Sequence, residues 1–595
     1  MDYVFTTTIF DKHRPSHREI RVLDLLPGKE LDSVRCTIRL LGLDSNEEYE
    51  ALSYVWGPRT HEELIEVAGH PIRITRNLHD ALRRLRDPNT QRTVWIDQLC
   101  INQLDNDDKA HQVAMMRDIY RGCSRCIIWL GEIEEGNVNF NVHDARDTFE
   151  FIEFAANPVS TSPEYLPHLF QDTFRGERAR SAFEALSMYG NPWWSRIWTI
   201  QEAIVPSSGL YVWGPLSIPR EMVIRTAQNL RGDRMPQLFS PNFCHHRLLH
   251  TPLLRRMLYP VHGFLHSSTI DGPLDLLMRW RHRDATDPRD KVYALMGLTK
   301  DDALPSAREY NYKISPSLLF ANVTFNLIQE EKGLRPLLGS CEMSHKTPDL
   351  PTFAIDFANT NRVGRLQLKW WNHSHRYHEF SACGERTIEA RLLHDGACLA
   401  LKGVLVDEIE ETSDVYVLLD DEDIDPYKLC DTIMGWNSRL STWCIDRNKA
   451  EQYVAGGSYL SAFSRTCIGD LIKAEFPIER ARPLHEKQFF KLLKLLSKGQ
   501  TQNPLYESVC GMVPNQALFI TKLGYIGIGP PDAQAGDQVW VFYGGQVPFF
   551  LRKTNPDNVI EGNHKLTLVG DAYVHGIMDG EAVDGKFQEQ SVWLV

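Results

Sequence analysis

Between Ala51 and Arg225, short apolar runs alternate with stretches of helical spacing. The runs ALSYVWG at 51–57, TVWID at 93–97, CIIWLG at 126–131 and LYVWG at 210–214 are continuously hydrophobic. A strand covered on both faces has no solvent side to make polar, so these runs predict a parallel sheet in an α/β domain. The segments between them fit as crossovers. Leu78, Ala81, Leu82 and Leu85 fall at i, i+3, i+4 and i+7, on one face of a helix that Asn77 would cap and Asp87-Pro88-Asn89 would end. A second helix is expected from Asp105-Asn106-Asp107-Asp108, where negative charge meets the positive amino end, burying Val113, Met116 and Tyr120. IEVAGHPIRIT at 65–75 alternates about Gly69 and predicts a β-hairpin after the first strand. In NPWWSRIWTIQEAIV at 191–205, Asn191 caps and Pro192 takes the first helical position, with Trp194, Ile197, Trp198 and Gln201 following at helical spacing.

Outside this block the pattern changes. Ile20 to Leu26 and Val34 to Leu41, separated by Pro27-Gly28-Lys29, predict a strand–turn–strand lead-in. Residues 132–175 are polar and irregular, as in an insertion with some helix. The chain is too long for one core, since cores stop growing at roughly 250–300 residues. Four regions are expected: a β lead-in over 1–46, the α/β domain over 47–215, a mainly helical middle region over 216–395, and a mixed, β-rich C-terminal region over 396–595. KQFFKLLKLLSK at 487–498 has the spacing of an amphipathic helix, read as a packed helix with solvated lysines rather than a membrane-surface element. Neither an internal repeat nor a low-complexity stretch interrupts these regions.

Composition narrows the function classes. Hydrophobic residues at 43% and charged residues at 24% describe an ordinary folded protein. A formal net charge of -13 argues against a nucleic-acid partner, because phosphate contacts need surplus Lys and Arg. No segment approaches the roughly 18 apolar residues of a membrane helix, and Met1-Asp2-Tyr3 begins no basic-then-apolar leader, so a cytoplasmic protein without stable membrane insertion is expected. The 12 cysteines are scattered, the usage of a reduced compartment. Cys123 and Cys126 form a CxxC without further zinc ligands, and Cys244-His245-His246 with His250 lacks an acidic or thiolate partner, so no metal site is expected. GxSxG, HExxH, GxxxxGK[ST] and GxGxxG are all missing. Gly524, Gly527 and Gly529 fit turns in a β-rich region.

Three longer blocks carry a resemblance. YEALSYVWG at 49–57, WIDQLCINQ at 95–103 and RIWTIQEA at 196–203 resemble, in order and spacing, the signature blocks of the fungal heterokaryon-incompatibility (HET) domain, over roughly residues 20–215. RDKVYALMGL at 289–298 and GDAYVHGIMDGEA at 570–582 resemble segments of longer HET proteins. HET domains are in turn similar to TIR domains, which implies a TIR-like, flavodoxin-like parallel sheet. Ser53-Tyr54 match the first-strand block of a TIR domain, Asp97 ends the second strand, and Trp198 to Glu202 keeps the TIR Trp-to-Glu spacing. Thr199 stands where the TIR pattern has Cys, and a long insertion separates CIIWLG from RIWTIQE.

The resemblance implies a chemistry. Enzymatic TIR domains cleave the nicotinamide–ribose bond of NAD+, which is then substrate, with no cofactor required. Glu202 would be the catalytic carboxylate, stabilising positive charge on the ribose as carboxylates do in glycosidases. Ser53, Tyr54, Trp56, Gly57, Asp97, Gln98, Asn102, Arg196 and Trp198 would bind the substrate at the carboxyl ends of the strands. It further implies self-association through the HET domain, an unidentified protein partner or trigger, and cell death as the output. The alternative is a non-catalytic adaptor signalling by homotypic assembly. Plainer roles stand beside these: Glu202 as a surface acid paired with Arg196, Trp56, Trp95, Trp129 and Trp198 as core, and Asp97, Asn102 and Gln103 as loop caps.

Overall fold

The four apolar runs become four neighbouring parallel strands. The computed structural model describes residues 9–595 except 30–31, 59, 135, 158–172, 188–189, 232–271, 340–346, 360–376, 394–395, 419–421, 448–451, 473–477, 555–558 and 561–562. Two compact units divide the chain, Met1–Lys313 and Ile314–Val595. The Cys244 to His250 cluster lies outside the described residues.

The first unit holds a nine-stranded sheet. Its strands are β1 (Glu19–Leu25), β2 (Arg35–Gly42), β3 (Glu50–Ser53), β4 (Glu62–Val67), β5 (His70–Thr75), β6 (Arg92–Trp95), β7 (Arg125–Trp129), β8 (Gly209–Trp213) and β9 (Leu216–Pro219), in the order β5-β4-β2-β1-β6-β3-β7-β8-β9. β6, β3, β7 and β8 run parallel, with Ala51 beside Trp95 and Leu52 beside Ile127. Counted along the chain these four lie in the order 2-1-3-4, the doubly wound arrangement whose ligand crevice opens at the carboxyl ends beside the first strand. Ala51, Leu52, Trp95, Ile127 and Ile128 are fully buried, which accounts for the unbroken hydrophobicity of the runs.

The sheet as a whole is mixed, which corrects the expectation of a parallel one. β1 pairs antiparallel with both β2 and β6, so the lead-in belongs to the same sheet as the α/β block. The buried run Ile20 to Leu25 covers an edge of the parallel core that would otherwise be exposed. The hairpin of β4 and β5 is as expected. β9 pairs antiparallel with β8 and carries the sheet past residue 215.

Helices of this unit are α1 (Arg76–Leu85), α2 (Asp97–Cys100), α3 (Asn106–Ala114), α4 (Met116–Gly122), α5 (Val142–Ala156), α6 (Thr173–Leu186), α7 (Thr199–Ile204), α8 (Arg220–Arg231), α9 (Pro273–Trp280), α10 (Asp290–Met296) and α11 (Pro305–Arg308). α1 buries Leu78, Ala81, Leu82 and Leu85 as the spacing predicts, but Thr75 occupies its cap position and Asn77 lies inside it. The Asn77 amide instead donates to Val55 O at 2.6 Å and accepts from the Trp129 indole at 2.9 Å, tying the ends of β3 and β7 together. Asp105 caps α3 by accepting from the amides of Asp107 and Asp108. The expected helix over 191–205 is broken in two. Asn191 caps a 3-10 turn over Pro192–Ser195, Arg196 is extended (φ -75, ψ 137), and α7 follows. The cause lies far along the chain, where Asp284 forms a parallel bridge with Arg196 and its carbonyl accepts from Ile197 N at 2.9 Å.

The second unit is β-rich. It begins with α12 (Pro316–Glu331), β10 (Ala390–Leu393) and the long β11 (Cys398–Thr412). Next come α13 (Pro426–Asp446), α14 (Tyr459–Thr466), β12 (Leu471–Ile472), β13 (Glu479–Arg480), α15 (Pro483–Leu496) and α16 (Tyr506–Cys510). The remaining strands are β14 (Ala517–Thr521), β15 (Ile526–Gly529), β16 (Gln538–Phe542), β17 (Phe549–Lys553), β18 (Val559–Ile560), β19 (Asn563–Asp571), β20 (Tyr573–Val574) and β21 (Glu589–Leu594). The pairings β16-β17-β19-β21-β11 return from β11 to β16, closing a ring of five strands in which only β19 and β21 run parallel. β11 shifts register between Leu405 and Asp407, and its far end pairs with β14. α15 buries Phe489, Leu492, Leu493 and Leu496, the packed helix that the spacing suggests. Gly524 sits in a turn at φ +101, but Gly527 and Gly529 lie in β15 beneath the rings of Phe519 and Phe550. Among the described residues no helix is long and apolar enough to cross a membrane.

Candidate functional site

Ser53 is the last residue of β3, the strand at the centre of the doubly wound core. Its hydroxyl donates to the Glu202 carboxylate, and its oxygen accepts from the Trp193 indole N–H at 2.8 Å. Glu202 lies in the first turn of α7 and is 3% exposed. The helix break at Arg196 makes this meeting possible, because the 3-10 turn places Trp193 beside Ser53 before α7 starts in a new direction. Burial drives the Glu202 carboxyl up to about 7, against the opposing pull of Arg196 and of the Ser53 hydrogen bond.

A second carboxylate stands at the end of the neighbouring strand. Asp97 follows β6, and its Oδ2 accepts from the Trp56 indole at 2.8 Å while Oδ1 accepts from Gln98 N at 2.7 Å. Burial raises the Asp97 carboxyl too, with Arg196 and the Trp56 hydrogen bond resisting. Arg196 thus acts on both acids, and its guanidinium donates to the Tyr54 carbonyl. The Tyr54 hydroxyl donates to Gln98 Oε1 at 2.8 Å; burial and then Asp97 hold it firmly protonated. Burial thus favours the neutral form of both acids while the one arginine favours the charged form, so a change in hydration would alter their charge.

The ten predicted site residues therefore divide. Ser53, Tyr54, Trp56, Asp97, Gln98, Arg196 and Glu202 are joined through hydrogen bonds or the shared arginine. Gly57 turns the chain after β3 at φ +75, against Asn77 rather than Glu202. Asn102 lies apart: its Oδ1 accepts from Leu104 N at 3.2 Å and its backbone N–H donates to Asp108 Oδ2 at 2.8 Å, so it shapes the loop. Trp198 is half-buried, one turn before Glu202, at the cap position of α7. Glu202 is no surface acid, whereas Gln103 does serve the loop, donating to Asp97 O at 3.1 Å. The sequence reading missed Trp193, Asn77 and Asp290. Trp193 stands in a Trp-Trp pair within the NPWW run, and nothing local separates a tryptophan that packs from one that also donates.

Other candidates hold no comparable arrangement. Cys123 and Cys126 are buried free thiols, and burial raises both above the ordinary thiol value. Among the described residues no group of three or more His, Cys, Asp or Glu is placed to hold a metal ion.

Comparison with known proteins agrees with the three sequence blocks. Residues 49–202 match the family model of the heterokaryon incompatibility protein (HET), and residues 485–595 match that of the Het-6 beta-barrel domain. The second match omits β11, which closes the ring of strands. The chain is similar to heterokaryon incompatibility protein 6, OR allele, of Neurospora crassa, with 26% identity over 96% of this chain and 95% of that protein. No solved structure matches it. Two family models in order along the chain, and a relative similar along nearly its full length, place this protein among the fungal HET domain-containing proteins.

Proposed function

We propose that this protein is a heterokaryon-incompatibility effector whose first unit is a TIR-like NAD+ glycohydrolase, held closed in the conformation described. The observation that carries this reading is the Glu202 carboxyl, buried and bonded to Ser53 at the carboxyl end of the first parallel strand. A doubly wound sheet receives ligands there, and the two acids flanking Arg196 supply the negative charge that a ribosyl cation needs.

In the reaction, the bond from ribose C1′ to the nicotinamide nitrogen breaks and nicotinamide leaves neutral, taking the bonding pair. Water adds to C1′ and loses one proton to solvent, giving ADP-ribose. Glu202, ionised, faces the positive charge at C1′ and accepts from the ribose hydroxyls, while Tyr54 and Gln98 line the sugar side. Because Glu202 is 3% exposed, its helix must move before a dinucleotide reaches it. Opening would also ionise the group by hydrating it. Self-association is the trigger this reading calls for, with cell death as the output.

That same burial favours a second reading, a non-catalytic adaptor in which the acid only fixes α7 to β3. The test is nicotinamide release from NAD+ by full-length protein, concentrated or crowded, with wild type beside Glu202→Ala. Release by wild type alone supports the hydrolase. Toxicity in a fungal host that persists in Glu202→Ala with normal NAD+ levels supports the adaptor.

A further inference from the structure

Residues 281–313 lie beyond the matched domain, yet they touch the helices beside both acids of the candidate site. Asp290, 7% exposed and in the first turn of α10, accepts from the Tyr312 hydroxyl at 2.6 Å. The Lys109 ammonium lies 4.0 Å from the centre of the Tyr312 ring, so α3, at the end of the loop that Asp97 opens, is attached to the same tyrosine. Lys313 pairs with Asp107 at 2.6 Å on α3, and Asp301 with Arg117 at 2.8 Å on α4. The bridge between Asp284 and Arg196 fixes the extended residue before α7. Gly297, which ends α10, fits against α7 so closely that an added methyl would lie 1.9 Å from Gln201 Nε2 and 3.1 Å from Arg117 Cβ.

We infer that this segment is a strap holding α7 to α3, and that Asp290 is a positioning residue that sets Tyr312, the strap's point of attachment to α3. The placement rests on the geometry alone; its consequence for NAD+ rests on the function proposed above. An interior carboxylate that accepts from a buried hydroxyl is costly to replace by a group that cannot accept, because the donor is left unsatisfied. Both ends of the site then loosen together.

The test is hydrogen exchange on the full chain, read separately over 96–105 and 196–204, for wild type, Asp290→Asn, Tyr312→Phe and Gly297→Ala. Tyr312→Phe keeps the ring and removes one donor, so it serves if a variant at Asp290 fails to fold. Exchange about tenfold faster in both windows is expected for Tyr312→Phe and Gly297→Ala, with Asp290→Asn close to wild type because it keeps an acceptor. Acceleration in only one of the two windows, or in neither, would overturn the strap. Nicotinamide release on the same samples is a separate readout. No release by any sample, with exchange altered as expected, removes the hydrolase and leaves the strap; release that is unchanged in Tyr312→Phe, with exchange unaltered, removes the strap and leaves the hydrolase.

Discussion

The Ser53 hydroxyl and the Glu202 carboxylate meet across 149 residues of sequence, joining the end of the first parallel strand to the first turn of α7. This bond links the stability of the first unit to the charge on one buried acid.

Glu202→Gln tests that link. The folded-state value of about 7 lies above the ordinary 4.5, so the folded protein holds this proton more tightly than the unfolded chain. The stability it contributes is fully present below pH 4.5 and is lost as pH rises to about 7. Wild type should lose roughly 3 kcal/mol relative to Glu202→Gln across that window and nothing further above it. Denaturant titrations of both proteins at a series of pH values check it, and parallel pH profiles would count against an acid with a raised value.

Ser53→Ala removes the donor to Glu202 and the acceptor of the Trp193 indole together. The loss should be about 1–3 kcal/mol at pH 8 and smaller at pH 5, where Glu202 is uncharged. Because the hydrogen bond opposes the upward shift, the Glu202 value should move higher still in this variant.

Arg21 and Asp108 form a buried pair at 2.9 Å with side chains 2% and 9% exposed. Asp108 also accepts from Asn102 N, and Arg21 donates to Cys100 O at 3.0 Å, so the pair anchors the loop after β6. Asp108→Ala strands a buried guanidinium and should cost about 3–5 kcal/mol, while Arg21→Met with Asp108→Leu should cost clearly less. Thermal melts of the single and double variants decide between a structural pair and an incidental one.

How much of this was legible in the sequence differs by kind of contact. Strand and helix identities came from local spacing: Leu78, Ala81, Leu82 and Leu85 are all buried, and the four apolar runs are the four parallel strands. Pairing was not legible, because the partner that makes β1 part of the sheet is β6, remote in sequence. The break at Arg196 was hidden for the same reason, since Asp284 imposes it. Asn77 was misread because the amide that suits a helix cap suits a bridge between strand ends equally well. Glu202 was found by resemblance, whereas Trp193 and Asp290 needed coordinates.

Gly403 in β11 allows the close approach of β16. An added methyl would lie 2.5 Å from Val541 O and 2.9 Å from Phe542 Cα, both backbone atoms that cannot swing aside. Gly403→Ala should destabilise the second unit by about 1–3 kcal/mol. Its unfolding, followed by fluorescence from Trp540, Trp436 and Trp443, should shift while that of the first unit stays in place.

The five-membered ring of strands has a bearing on synthesis. β11 leaves the ribosome long before β16 and β21, its two neighbours in the ring, have been translated. Until they arrive only its first residues, Cys398 to Leu401, have a partner in β10, and the rest of its fifteen residues are an open edge, the kind of surface that pairs with the wrong chain. Slower translation beyond Thr412, which lengthens the exposure of that nascent edge, should therefore lower the yield of folded protein.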